Sequence, residues 1–377
     1  MSVGKNALQS TGIAVVLERY REPIERGMRE AISSAARSTT RAEASEALLS
    51  TLYGQINYHL GWVDAKFAPS TGNPGKLLRP TLTLLAAELS GGEQSVERAL
   101  PAAISVELIH NFSLIHDDIE DGDEERRHRA TLWRVWGQAQ AINTGDALFS
   151  LARRQTLGLA DKGVDAALTL RLVERLDTVC LELCEGQHLD MIFESRRDVT
   201  VAMYLDMIAR KTAALMRCAA ELGGRIGAPD DATLGDQLGA FGQALGLAFQ
   251  IRDDILGIWQ AQDLGKSVAG DVRRKKMSLP AIHALEHASA DDRAALMAIY
   301  FRPGPATDEQ ITTALDILER SGARARAHEA LREQLALART SLENAITVAQ
   351  RRHAGATSVA ADGLAEFLAY ISADAGA

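Results

Sequence analysis

Long stretches of this chain place their apolar residues three and four positions apart, and no stretch alternates them in twos. Four segments carry the helical period: Val96–Ile119, Val164–Phe193, Val201–Ile226 and Leu234–Trp259. Aromatic residues are only 5%, prolines number nine, and Ala, Leu, Glu and Arg recur, all of which favour helix over strand. No β-branched run bounded by Asn-Gly or Asp-Gly competes. The sequence therefore predicts an all-α fold. Breaks at Ser70 to Gly75, Ala228 to Asp231, Gly265 to Lys275 and Arg302 to Asp308 are short, so 377 residues are read as one domain, a single large helical bundle. Residues 1–11 are expected to be a flexible N-terminus and Ala375-Gly376-Ala377 to fray. The part after Asp308 is amphipathic and carries no motif.

The charge balance is 41 Lys+Arg against 50 Asp+Glu, a net −9, which argues against nucleic acid as a partner. Three cysteines, Cys180, Cys184 and Cys218, form no CxxC pair, and no apolar run reaches the about 18 residues a membrane span needs. The expectation is a cytoplasmic chain without a signal peptide or transmembrane segment.

Asp117-Asp118-Ile119-Glu120-Asp121 is the strongest local feature. It ends an apolar helix, and at about 100° per residue Asp117 and Asp121 share a face, with Asp118 one step round and His110 two turns deeper. Carboxylates converging from one helix repel unless a cation sits among them, and oxygen donors that leave room for water and phosphate suit Mg2+. An isolated acidic run usually just faces water. An EF-hand fails, because Ile119 and His128 fall where ligands are needed, and a P-loop fails because Gln260 stands where Gly265-Lys266-Ser267 requires a glycine. The metal reading gains weight from Phe249-Gln250-Ile251-Arg252-Asp253-Asp254-Ile255-Leu256-Gly257, a second helix end with paired aspartates. Arg126-Arg127, Lys76, Arg79, Lys211 and Lys275-Lys276 add the basic groups that a diphosphate needs opposite its metal bridges.

Together these motifs resemble the trans-isoprenyl diphosphate synthases, or polyprenyl synthetases, over roughly Gly75 to Pro280. Gly75-Lys76 with Arg79-Pro80, Glu107 to His116 leading into the first aspartate motif, Arg126-Arg127, Gly145-Asp146, Gly186-Gln187 with Asp190, Lys211-Thr212 and Phe249-Gln250 with Asp253-Asp254 occur in the family's order. The resemblance implies the isoprenoid synthase fold, a helical bundle around a central cavity, and three Mg2+ ions. It assigns metal binding to Asp117, Asp118 and Asp121 on one wall and to Asp253 and Asp254 on the other. Arg126, Lys211, Lys276 and Lys266 are expected on the allylic diphosphate. Lys76, Arg79, His110 and Arg127 are expected on isopentenyl diphosphate, and Thr212 and Gln250 at the reacting centre. Asp117, Asp118, Asp253, Lys211 and Gln250 would carry the chemical step, the condensation of the two diphosphates into an all-trans prenyl diphosphate.

Two positions depart from the family pattern. Gly257 stands where many members have a third aspartate, and Leu77 where many have a basic residue. The short DDxxD spacing and the ring of Phe112, with Ser113 beside it, resemble short-chain members, especially geranylgeranyl synthases. Phe112 lies five residues before Asp117, about 7.5 Å deeper along the helix, where a bulky floor would stop chain growth. A C20 product is expected, with C15 and C25 as the neighbouring lengths. A homodimer is also expected from the resemblance. Other readings are a class I terpene cyclase, which has no use for a second diphosphate site, and a non-catalytic partner subunit, hinted at only by Gly257.

Overall fold

The computed structural model describes residues 12–37, 43–70, 72, 75–259, 269–352 and 358–373. The expected loose N-terminus, the last four residues and Lys266 lie outside them. Helices α1 (Gly12–Arg37) and α2 (Glu43–His59) precede α3 (Leu78–Gly91) and α4 (Gln94–Glu120). Beyond a small ribbon come α5 (Leu132–Trp136), α6 (Gln138–Leu157), α7 (Ala166–Phe193), α8 (Val201–Ile208), α9 (Ala214–Gly227) and α10 (Ala232–Trp259). The chain continues through α11 (Gly270–Arg274), α12 (Leu279–His287), α13 (Ala290–Tyr300), α14 (Asp308–Arg320), α15 (Ala323–Arg352) and α16 (Ser358–Ser372). The all-α expectation holds.

Helix α3 is apolar nearly all round, and every residue from Pro80 to Gly91 is buried, which places it at the centre. Leu82, Leu84, Leu85 and Leu89 are each 1% exposed or less, and each such side chain contributes about 2 kcal/mol of burial free energy. Helix α9 lies against α3, while α4 bridges α3 to α6 and α10 bridges α9 to α15. Several starts are read directly from side chains: Asp165 accepts from Leu168 N at 3.0 Å, Thr200 from Met203 N at 3.2 Å, and Thr307 with Gln310 forms a capping box.

Two local features differ from the sequence reading. Val201 to Ile226 is not one regular helix, because Ala209–Ala213 forms a wider π turn between α8 and α9. Its backbone presses on α7 at Gly186, where an added Cβ would lie 2.3 Å from Lys211 N, so only glycine permits the approach. The π turn is the form in which a helix absorbs one extra residue, here the stretch presenting Lys211 and Thr212. The second feature is a ribbon, β1 (Glu125–Arg126) with β2 (Arg129–Ala130), antiparallel with Arg126 opposite Arg129. Its two turn residues, Arg127 and His128, have φ of 54° and 63°. That is the left-handed geometry of a tight hairpin, which the sequence hides because neither is Gly or Asn.

Candidate active site

The first acidic motif closes α4. Asp118 turns inward, 2% exposed, and accepts a 2.6 Å hydrogen bond from Arg126 Nε, whereas Asp117 is half-buried and Asp121 exposed. The hairpin thus splits the two arginines, giving Arg126 to the motif while Arg127 turns over at the left-handed position. Burial pushes the Asp117 carboxyl up to about 7, with Lys211 opposing and Asp121 adding repulsion. Burial likewise raises Asp118 to about 6 against the pull of Arg126, and raises Asp121 against Lys211. Burial disfavours the charged form of all three carboxyls, and a divalent cation among them would offset that penalty.

Lys211 faces this motif from the π turn. Its ammonium donates to Asp190 Oδ2 at 2.5 Å. Although burial pulls its pKa down, the carboxylates of Asp190, Asp117 and Asp121 hold it above the usual lysine range. Next to it, Thr212 Oγ1 donates to Gln250 Oε1 at 3.0 Å, and Gln250 Nε2 donates to Asp254 Oδ1 at 3.2 Å. One hydrogen-bonded line therefore joins the π turn to the end of α10.

At that end, the two aspartates have opposite fates. Asp253 is exposed, yet desolvation by the surrounding protein raises it to about 6; Asp254 adds repulsion, and Arg252, Lys276 and Lys76 oppose the rise. Asp254 is fully buried and accepts from Lys276 Nζ at 3.1 Å, Leu279 N at 3.1 Å, Gln250 and the Tyr204 hydroxyl. Asp254 foremost holds Lys276 well above the usual lysine range. Burial and the same carboxylate push the Tyr204 hydroxyl far up.

The residues expected on isopentenyl diphosphate also gather. Arg79 Nη1 lies 3.4 Å from His110 Nε2, and burial together with Arg79 and Arg127 drives the His110 pKa far down, so its imidazole is neutral. Behind them Glu107 is buried, accepts from Asn111 Nδ2 at 2.9 Å, and is pushed by burial to about 7 against the pull of Arg79. Lys76 Nζ meets the Tyr370 hydroxyl at 2.6 Å, and the Tyr370 ring also lies under the Arg252 guanidinium, 4.9 Å from its centre. Leu77 is 4% exposed with a φ of 56°, and it anchors the start of α3 in the core. Lys76 and Arg79 both act on Asp253, and Asp190 acts on both Lys211 and Lys276, so the walls share one electrostatic field.

A cavity of about 220 Å3 opens beside Asp117 and Lys211, lined by Phe112, Ser113, Leu183, Cys184 and Met191 among others. The Phe112 ring packs edge-on against His116, with centroids 4.8 Å apart, and lies 5.5 Å from the Phe149 ring. The Phe112 ring, which lines the cavity, is thus held between two neighbouring rings.

Among the described residues, no three carboxylate, imidazole or thiol groups cluster tightly enough to cage an ion alone. The oxygens that could be offered to an ion are instead those of single carboxylates, Asp117 and Asp121 on one side and Asp253 on the other. Such an all-oxygen set fits Mg2+, which keeps several waters and takes phosphate oxygens into its shell.

The polyprenyl synthetase family profile matches residues 61–318. The chain belongs to the polyprenyl synthetase family. It is 40% identical over 304 residues to a geranylgeranyl diphosphate synthase of Mycobacterium tuberculosis, covering 80% of this chain and 85% of that one. It is 41% identical over 273 residues to a (2E,6E)-farnesyl diphosphate synthase of Mycobacterium bovis, covering 71% and 74%. The crystal structure of a polyprenyl synthetase from Streptomyces coelicolor superposes with a TM-score of 0.80 at 33% identity, covering 95% of this chain and 99% of that one. This polyprenyl synthetase is accordingly a trans-prenyltransferase, with the isoprenoid synthase fold. Its relatives carry names of different chain length.

The sequence reading of the synthetase missed several residues. Tyr204 and Glu107 sit in apolar helical stretches and look like core until their buried partners are seen. Tyr370 lies 294 residues from Lys76, in a region without a motif. Asp190 and Lys211 were each visible in a motif, but their pairing was not.

Proposed function

We propose that this chain condenses isopentenyl diphosphate with an allylic diphosphate, in the presence of Mg2+, to give a short all-trans prenyl diphosphate, chiefly C20. The observation that carries the reading is the pairing of two aspartate-bearing helix ends with two groups of basic and hydrogen-bonding side chains. Lys211, Lys276 and Arg126 stand with the aspartates, and Lys76, Arg79, His110 and Arg127 make a second anion site that a cyclase would not need.

Mg2+, when bound, supplies the positive charge that lets diphosphate leave. Lys211 and Lys276 donate charge-assisted hydrogen bonds to the departing oxygens. The allylic C–O bond breaks with its electron pair on the diphosphate, leaving an allylic cation. The double bond of isopentenyl diphosphate forms the new carbon–carbon bond, and a proton passes to the diphosphate that the lysines retain. Thr212 and Gln250, fixed on each other, border the cation. His110, being neutral, acts by hydrogen bonding while Lys76, Arg79 and Arg127 supply charge. Placement of two substrates out of water is the main rate contribution from the fold. Within the second motif Asp253 is the metal ligand, and Asp254 serves by aligning Lys276 and Gln250.

Phe112, with Ser113, sets the product length by closing the cavity. The chain acts as one domain, supported by the continuous cluster of buried side chains from Ile13 to Ile371. A homodimer is supported by exposed Leu170 and Leu181 on one face of α7, near exposed Ile142 and Leu157 of the adjoining α6. No helix of the described residues is long and apolar enough to cross a membrane, and a cytoplasmic site of action completes the proposal.

Purified protein with Mg2+, isopentenyl diphosphate and dimethylallyl, geranyl or farnesyl diphosphate in turn should yield C20 alcohol after hydrolysis and chromatography. A hydrocarbon from farnesyl diphosphate alone would favour a cyclase, and no product from any starter would remove the synthase reading.

A further inference from the structure

Helix α10 ends with two aspartates followed, one turn later, by Gly257, which lies three residues beyond Asp254 and four beyond Asp253 and so shares their side of the helix. The space in front of Gly257 is filled. An added Cβ would lie 2.1 Å from Asp271 Oδ2 and 2.6 Å from its Cγ. A carboxyl group therefore stands where a side chain at position 257 would begin, delivered from α11 across 14 residues of chain. Asp271 is 6% exposed and is held from two sides: Arg274 Nη2 donates to Oδ1 at 2.8 Å, and Lys276 Nζ lies 4.0 Å from Oδ2. The Lys276 backbone N–H also donates to the Asp271 carbonyl at 2.9 Å. The same ammonium is 3.1 Å from Asp254 Oδ1, so one lysine is strung between a carboxylate of α10 and one of α11.

We propose that Asp271 is the spatial third carboxylate of the second aspartate motif, and that it is a positioning residue which aims Lys276 at the allylic diphosphate. Gly257 is then a fitted partner of Asp271 and not a lost ligand, since any larger residue would displace the carboxyl group from the helix. Lys276 is pinned at its backbone by the Asp271 carbonyl and at its tip by two carboxylates, which fixes a flexible four-carbon stem before substrate arrives. This rests on the synthase reading for the identity of the diphosphate, while the arrangement of Gly257, Asp271 and Lys276 does not.

The experiment compares wild type, Asp271→Asn, Lys276→Met, the double Asp271→Asn/Lys276→Met, Gly257→Asp, and the swap Gly257→Asp/Asp271→Gly. Asp271→Asn should raise KM for the allylic diphosphate by about tenfold, as loss of one charge-assisted contact implies, with KM for isopentenyl diphosphate unchanged. In the Lys276→Met background the same change should have no further effect, because residues acting as a unit are not additive. Gly257→Asp alone should be impaired, and the swap should recover most of the loss by returning a carboxylate to the same place. Calorimetry with inorganic diphosphate and Mg2+ reads the same coupling without turnover, and thermal denaturation separates unfolding from misplacement. An Asp271→Asn protein that binds inorganic diphosphate and the allylic substrate as wild type does would overturn the proposal. So would a penalty that persists in full without Lys276. A wild type that binds diphosphate but makes no prenyl product would instead overturn the synthase reading alone.

Discussion

At the end of α4, Asp117 is half-buried and Asp121 exposed while Asp118 is clasped by Arg126; at the end of α10, Asp253 is exposed while Asp254 is sealed among four donors. The two ends read almost alike in sequence, yet the first offers its charges outward and the second spends half of its charge inward. The reason lies in their neighbours. Helix α4 runs out into a hairpin that shields one side only, whereas α10 meets Tyr204 of α8 and the start of α12, whose Leu279 N–H reaches Asp254. A run of aspartates therefore describes a supply of charge, and tertiary contacts decide how much of it faces a ligand.

The largest effect should come from removing, from each end, one aspartate that no cation among the described residues clasps directly. Asp117→Ala and Asp253→Ala should each lower kcat by about a thousandfold, the scale of losing one electrostatic contact to a developing charge. Steady-state assays check this, and a retained rate in either variant would break the parallel between the two ends. Asp254→Asn sharpens the contrast. It should cost about 2–3 kcal/mol of stability in urea denaturation, because Lys276 loses its buried counter-charge, while Asp253→Asn should leave stability nearly unchanged. Equal effects of the two asparagines would contradict the inward and outward assignment.

Phe112→Ala tests the apolar side of the first end. The product should lengthen beyond C20 when prenyl alcohols are sized, with turnover kept within about tenfold because the ring touches no reacting atom. The smallest effect concerns the support behind Arg126 and Arg127. Burial, with those arginines adding to it, lowers the His59 pKa to about 3. Unfolded histidine titrates near about 6.5, so below that pH the unfolded chain takes up a proton that the folded chain refuses, and stability falls as pH falls. Between pH 7.5 and 5.5 this contributes a loss of about 1.4 kcal/mol, and His59→Gln should lose correspondingly less over that interval in urea titrations.

Much of the fold was legible because helical period is a local signal. Three of the four expected segments lie within two residues of α4, α7 and α10. The fourth was located but not its π turn, which depends on Gly186 admitting the backbone of Lys211, a contact between distant parts of the chain. The hairpin was hidden because Arg127 and His128 occupy left-handed positions that glycine or asparagine usually marks. In the site, Asp117, Asp253, Lys211, Thr212 and Gln250 were picked out by the resemblance of their motifs to the family's. The division between Asp253 and Asp254 was not, because it is made by Tyr204, Leu279 and Lys276 from three other elements. Leu77, which stands where many members have a basic residue, is a buried core side chain. Lys266 falls outside the described residues.

The central claim is that the two helix ends act together on one diphosphate only when a divalent ion joins them. Calorimetric binding of a non-reactive allylic diphosphate analogue, with Mg2+ and with EDTA, tests it most directly in wild type, Asp117→Ala and Asp253→Ala. The account predicts tight binding by wild type with Mg2+, and weak binding with EDTA or when either aspartate is missing. Equal affinity with and without the ion, or loss in only one of the two variants, would contradict it.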